Sequence, residues 1–411
     1  MTKPFTTRVL TGFVAIVIFA ITGCASDPEP SGDIPGPPTI RVLLERDADA
    51  ATVSATGTVT AATSGQTAPL LIRGSQTVRQ ADNGWYIGGQ YFPGAARLRL
   101  TPGTDALITV NGEQRPGGFD FVTKSAGVFD LVNVVDMEQY LIGVVAGEMF
   151  SSWQLDALKA QAVAARTYAL FQTKTLDRGH WDVFGDTRDQ AYVPIDKWTD
   201  NDRRAVAETA GVVLAFAPDG KPRRIFKAYY SSTSGGPSIG AVDAFGDSPV
   251  NRIDPINTPV QYGDLDNQSS RYRWTIETTR REFDAAVKRW AADRNHPAAG
   301  LGPIVNVQVD ARNDLRRPTR YVLIDRSGNT ATVGAEPMRN LLGRVGKSWG
   351  NWVEPTVSGE RIVFAGRGFG HGVGMSQYAV EALAQRGETW DQILKFCYPK
   401  VELVRAYRGK P

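Results

Sequence analysis

The pattern of apolar and polar positions changes character twice along the chain. Residues 39–124 contain short alternating runs, among them TIRVLLE, ATVSATGTVT, WYIGGQYF, ARLRLTP and ALITVNG, separated by Gly, Asn, Pro and Asp. Alternation with turn residues between the runs predicts antiparallel strands. Residues 129–135 predict another strand, and the apolar run at 140–145 is read as its continuation. Residues 153–174 are Ala-rich with no Gly or Pro, which predicts the longest helix. Ser151 or Ser152 is the expected N-cap, and Asp156 falls in the first turn. Leu155, Leu158, Ala162, Ala165 and Ala169 give that helix an apolar face of mostly small residues.

Beyond it, residues 201–210 predict a short helix. GVVLAFA and PRRIFKAYYSS predict a hairpin turning at Asp219 and Gly220. Residues 231–271 show little periodicity. Helices are expected at 282–292, 336–342 and 376–386, with strands at 304–310, 321–325, 330–333 and 361–365. Thr389 and Gln392 form a capping-box pattern for a last helix. The whole reads as an α+β, strand-rich mixed fold, with a long central helix and glycine-rich loops lining a cleft.

The N-terminus carries an address. Lys3 and Arg8 precede a nearly all-apolar stretch, residues 9–21, which ends in Ile-Thr-Gly-Cys. That is a secretory signal, short for a membrane span. The ITGC end resembles a lipobox, which would place lipid on Cys24. Residues 27–38, rich in Pro, Gly and acid, read as an extended tether. The expected organisation is a signal peptide at 1–23, a tether at 24–38, a β-rich region at 39–125 and a second domain at 126–411. The body would then face outward from the cell membrane.

The chain's net charge is +3, and losing Lys3 and Arg8 with the signal leaves +1. That balance excludes the basic face of a nucleic-acid binder. The chain has two cysteines, so a lipidated Cys24 leaves Cys397 alone, without an internal disulfide. Cys397 is expected in the core.

Candidate chemistry concentrates in a few places. Glu148 follows Val144-Val145-Ala146-Gly147, an apolar setting that raises a carboxylate's pKa and suits a general acid. A helix-start carboxylate paired with a buried base is the alternative. Lys159 and Arg166, seven apart, project from one helix face; they are surface charges, partners of Glu148, or an anion site. His371 lies among Gly368, Gly370, Gly372 and Gly374, which let backbone approach a ligand or another segment closely. Ser231-Ser232-Thr233-Ser234-Gly-Gly is a polar turn able to face sugar, or an ordinary loop. It lacks a nucleophile-elbow pattern. His180, Asp182 and Asp186 are close in sequence but make a poor zinc set.

YLIGVVAGEM with ALKAQAVAARTYAL, then DQAY ending at Tyr192, YYSSTSGG, and GFGHGVGMSQY followed by ILKFCYP together resemble the SpoIID/LytB family of bacterial wall proteins. The resemblance runs from Met137 to about Arg405. It implies peptidoglycan as substrate, with either lytic transglycosylase action on peptide-stripped glycan or enhancement of a wall amidase. It puts the catalytic role on Glu148 and basic, substrate-binding roles on Lys159 and Arg166. Tyr192, Ser231, Ser232, Ser234, His371 and Gln377 fall in the blocks expected to line the glycan groove. Where some members carry His and Cys near the DQAY block, this chain has Arg188 and Asp189, so neither a metal nor another cofactor is expected.

Overall fold

A computed structural model describes residues 36–81, 83–218 and 222–407. The signal, Cys24, most of the tether and the Asp219–Gly220 turn lie outside the described residues. The fold is α+β, and its buried side chains gather into three main clusters.

The first cluster belongs to the strand-rich N-terminal region. Thr39–Ala48 pairs antiparallel with Val128–Asp136, which continues through Gly118–Ser125, Arg97–Pro102 and Thr58–Ala62 to Thr67–Leu71. A second sheet is built around Ala51–Ala55 and Gln76–Ala81. Trp85, Phe121 and Phe129 meet edge-to-face in this core, with ring centroids 5.4–6.2 Å apart, a geometry that aromatic quadrupoles favour.

The second cluster surrounds two helices, α1 (Met137–Glu148) and α2 (Leu155–Thr175). The run at 140–145 is therefore helix, not strand. Strand Val128–Asp136 stops at Asp136, whose carboxylate accepts from the N–H groups of Glu138 (2.9 Å) and Gln139 (3.4 Å) and caps α1. Because α1 is buried on most sides, its apolar run has no periodicity to tell helix from strand. The long helix α2 stands where expected, but its N-cap is Gln154, which makes no side-chain cap bond. Ser151 Oγ instead donates to Asp202 Oδ2 at 2.9 Å. Asp202 lies on α3 (Asp200–Glu208), which has its own Thr199–Asp202 capping box.

Two glycines on α1 let a neighbouring segment lie against it. A Cβ on Gly143 would stand 2.6 Å from the Tyr192 ring, and one on Gly147 would stand 2.5 Å from Ala191 O. Residues 189–193 use that space, with Val193 N–H donating to Gly143 O at 3.2 Å. The N-terminal region reaches the same segment: Arg115 donates to Tyr192 O at 2.7 Å, and its guanidinium lies over the Tyr192 ring.

The third cluster is a separate apolar core running from Ile276 to Phe364. It holds helix Arg280–Ala292, sheet Ile304–Arg312/Pro318–Asp325/Thr330–Gly334 and sheet Arg273–Thr279/Arg361–Arg367/Trp352–Ser358. The chain enters this unit at Arg273 and leaves it at Arg367, which pair with each other. Tyr230 and Ser231 pair in parallel with Met375 and Ser376, so the turn after Tyr230 and the glycine-rich loop lie side by side in the second cluster.

Candidate functional site

Glu148 is the last residue of α1. Its Oε1 accepts the Ala191 N–H at 2.7 Å, and its Oε2 accepts from Gln377 Nε2 at 3.3 Å. The Tyr230 hydroxyl adds a hydrogen bond to the carboxylate and itself accepts from Gln190 Nε2 at 2.8 Å. Gln377 also reaches Gln161 Oε1 on α2 at 3.3 Å. Protein surrounds Glu148 closely, yet the residue keeps some accessible surface. Burial raises its pKa above the ordinary carboxylate value, and the three donors offset part of that shift. The C-terminal end of α1 is also a poor place for negative charge. Glu148 makes no ion pair among the described residues.

The basic residues expected to serve this carboxylate are engaged elsewhere. Arg166 is fully buried. Its Nε and Nη2 grip the two oxygens of Glu138 at 2.9 and 2.6 Å, and Nη1 donates to Val212 O at 3.0 Å. Glu138 Oε1 further accepts from Gly211 N–H at 3.1 Å and the Tyr407 hydroxyl at 2.5 Å. Arg166 thus ties α2 to the start of α1 and to the C-terminal segment, and no surface guanidinium is left to meet an anion. Lys159 is held by Glu208 Oε2 at 2.5 Å, at the end of α3.

The other expected groove residues divide similarly. Tyr192 is buried behind α1, its hydroxyl donating to Asn133 Oδ1 at 2.9 Å. Ser231 Oγ accepts the Gly372 N–H at 3.2 Å, and Ser232 Oγ is 3.3 Å from Thr233 Oγ1. Ser234 is buried and fastened by Asp266 to its N–H (2.6 Å) and by Arg317 to its carbonyl (3.0 Å). Tyr192 and Ser234 are therefore packing residues, sealed from a polymer. His371 Nδ1 accepts the Val373 N–H at 3.0 Å, and its ring meets Tyr229 and Phe245 edge-on. Burial, with the cations Arg339, Lys227 and Arg317, lowers its pKa to about 3. His371 is a neutral ring that shapes its loop. Gly370 and Gly374 adopt positive φ there, and a Cβ would strike Ser231 Cβ at 2.6 Å or Tyr229 O at 2.2 Å. The third cluster secures this loop from below: Asn351 Nδ2 donates to His371 O at 2.7 Å, and Arg317 donates to Asn351 Oδ1 at 2.6 Å.

Sequence reasoning missed several groups near Glu148. Gln161 is a fully buried amide in the Ala-rich stretch, and its Nε2 has no hydrogen-bond partner. A polar residue in an otherwise apolar helical run was the available signal. Tyr230 and Lys227 belong to the KAYY run but were read only as strand. Phe150 and Tyr378, each adjacent or nearly adjacent in sequence to a site residue, meet through Trp153: Phe150–Trp153 centroids are 5.3 Å apart and Trp153–Tyr378 4.9 Å. Phe150 is 59% exposed, so an aromatic ridge lies just beyond the Glu148–Gln377 pair.

Near the DQAY block, each candidate ligand is occupied. His180 meets Asp130 (2.9 Å), Asp182 pairs with Arg41 (2.6 Å) and Asp186 with Arg188 (2.6 Å). Among the described residues, no group of three or more His, Cys, Asp or Glu side chains is arranged to hold a metal. Cys397 is buried, and burial pushes its thiol up to about 12.

Two family descriptions match parts of the chain. Residues 125–216, which contain Glu148, α2 and the DQAY segment, match the family described as Stage II sporulation protein (SpoIID). That segment is thus a SpoIID-type domain within the chain. Residues 257–374, which contain the third cluster, match a domain of unknown function (DUF8618). The chain is similar to the amidase enhancer of Bacillus subtilis (strain 168), at 27% identity over 74% of this chain and 46% of that protein. It is also similar to the stage II sporulation protein D of the same organism, at 26% identity over 67% of this chain and 76% of that one. An uncharacterised protein of Brachyspira hyodysenteriae is 27% identical over 72% of this chain and 74% of its own length. The chain thus spans under half the length of the amidase enhancer it resembles.

Proposed function

We propose that this protein acts on peptidoglycan outside the cytoplasm, as a lytic transglycosylase that cleaves peptide-stripped glycan with Glu148. The observation that carries the reading is the state of that carboxylate. It is accessible, free of a cationic partner among the described residues, and raised in pKa by its surroundings.

Such a group holds its proton nearer to neutral pH and can give it to a glycosidic oxygen as the C1–O bond breaks. The carboxylate then takes the proton from the same sugar's C6 hydroxyl while O6 bonds to C1. The proton lost in the first half is regained in the second, and no water is consumed. A second carboxylate to activate water, which ordinary glycosidases need, is not required. The Ala191 N–H, Gln377 and Tyr230 steady the anion between the two steps. The Phe150–Trp153–Tyr378 ridge offers apolar surface to the flat faces of sugar rings beside the reacting bond. The signal at residues 1–23 would direct export, and lipid on Cys24 would hold the protein on the outer face of the membrane.

A second reading is that the protein binds glycan and enhances a separate wall amidase. The name of the Bacillus subtilis relative favours it.

Incubating the protein with amidase-stripped glycan strands, beside Glu148→Gln, tests the choice by mass spectrometry. Anhydro-muramyl ends made only by the parent support the transglycosylase. Reducing ends mean hydrolysis. Glycan binding by both proteins without cleavage products favours the amidase enhancer.

A further inference from the structure

Lys227 is a half-buried lysine whose ammonium lies 5.3 Å from the Tyr168 ring centroid and 5.0 Å from that of Tyr229. Among the described residues it has no carboxylate partner. Asp189, which acts on it from farther off, is already saturated. Its Oδ1 accepts from the Tyr168 hydroxyl and Gln172 Nε2, both at 2.8 Å, and its Oδ2 accepts from Arg178 Nη1 at 2.6 Å and Phe184 N–H at 2.9 Å. Even half-buried, a cation without a carboxylate partner is costly. Burial lowers the ammonium's pKa to about 8, so it is still mostly charged at neutral pH.

A row of aromatic rings leads from it to Glu148. Tyr168 stands between Lys227 and Tyr230, with Tyr168–Tyr230 ring centroids 6.4 Å apart, and the Tyr230 hydroxyl reaches Glu148. On the other side, Tyr229 packs on His371. The aromatic faces hold the ammonium by cation–π attraction and leave its N–H groups able to meet an anion.

We infer that Lys227, rather than Lys159 or Arg166, is the specificity residue that receives a carboxylate of the substrate, the lactyl carboxylate that a muramic acid exposes once its peptide is removed. This rests on the glycan reading above. A muramic acid still carrying its peptide has an amide there and would bury Lys227 without a counter-charge. Preference for stripped strands follows.

The test measures binding in a Glu148→Gln background, so that strands stay intact. One probe is peptide-stripped glycan; the other is the same glycan with its lactyl carboxylates converted to neutral amides. Adding Lys227→Gln is expected to weaken binding of the carboxylate strands roughly tenfold to a hundredfold, the worth of a charge-assisted hydrogen bond. Affinity for the amidated strands should stay at the parent level, which also shows that the variant is folded. Lys227→Arg should recover most of the loss, and Lys159→Gln should leave both affinities unchanged. Equal weakening on both probes would make Lys227 structural and overturn the inference, as would no change on either. If the parent binds neither probe, the glycan reading falls and this inference with it.

Discussion

Glu148 Oε2 and Gln377 Nε2 lie 3.3 Å apart although 229 positions separate them in the chain. The contact joins the end of α1 to the glycine-rich loop, and it bears directly on when the carboxylate holds a proton. Replacing Gln377 by Met removes a donor that favours the anion, so the pKa of Glu148 should rise further. An acid step needs the protonated form and fails as pH climbs through that pKa. The alkaline edge of the kcat/KM profile for glycan cleavage should therefore move to higher pH in Gln377→Met. An edge moving to lower pH would contradict the assigned hydrogen bond.

Arg166→Ala should act on folding before it acts on chemistry. It strands Glu138 in the interior, and loss of one partner from a buried ion pair typically costs about 3–5 kcal/mol. Adding Glu138→Leu should recover part of that loss by removing the orphaned charge. Urea unfolding of the single and double variants measures both. A soluble, fully stable Arg166→Ala protein with weakened glycan binding would instead return Arg166 to the ligand side.

Gly147→Ala should push the 189–193 segment off α1, because the new Cβ would stand 2.5 Å from Ala191 O. Overpacking of this kind costs about 1–3 kcal/mol. The same movement stretches the Ala191 N–H bond to Glu148, so cleavage should fall along with stability. Gly300→Ala has nothing within 4 Å of its new Cβ and serves as the control, with both properties near the parent's. Thermal unfolding and glycan turnover of the two variants make the comparison.

His371 should not titrate in the physiological range. With its pKa lowered to about 3 and Nδ1 accepting a backbone N–H, its imidazole carbon resonances should stay flat from pH 5 to 8. NMR of the protein, with His371→Gln used to assign the signal, reads this directly. A midpoint near 6.5 would mean the ring is more open than the Tyr229 and Phe245 packing indicates.

Much of the architecture was legible in the chain because local rules act locally. Alternation marked the N-terminal strands, the Ala-rich run marked α2, and the Thr389–Gln392 capping box stands at a helix start. Helix α1 was misread because burial on most sides erases the periodicity that separates helix from strand. At the candidate site, the apolar flanks of Glu148 foretold the raised pKa of its carboxylate. Arg166 was misplaced because charge alone does not say whether a side chain meets solvent or a buried partner, and Glu138, 28 positions earlier, supplies that partner. Lys227 and Tyr230 were passed over for the converse reason. What sets them apart is an absent counter-ion in one case and a reach to Glu148 in the other, and both depend on segments distant in sequence.

The antiparallel pairing of Arg273–Thr279 with Arg361–Arg367 also has a consequence for chain length. Everything between those strands forms one excursion whose two ends meet. The entropy of closing such an excursion grows only with the logarithm of its length, by about 0.6 kcal/mol per doubling. The stretch those strands enclose, which has its own apolar core, can therefore lengthen at little cost in closure entropy, while Glu148 and Gln377 keep their contact.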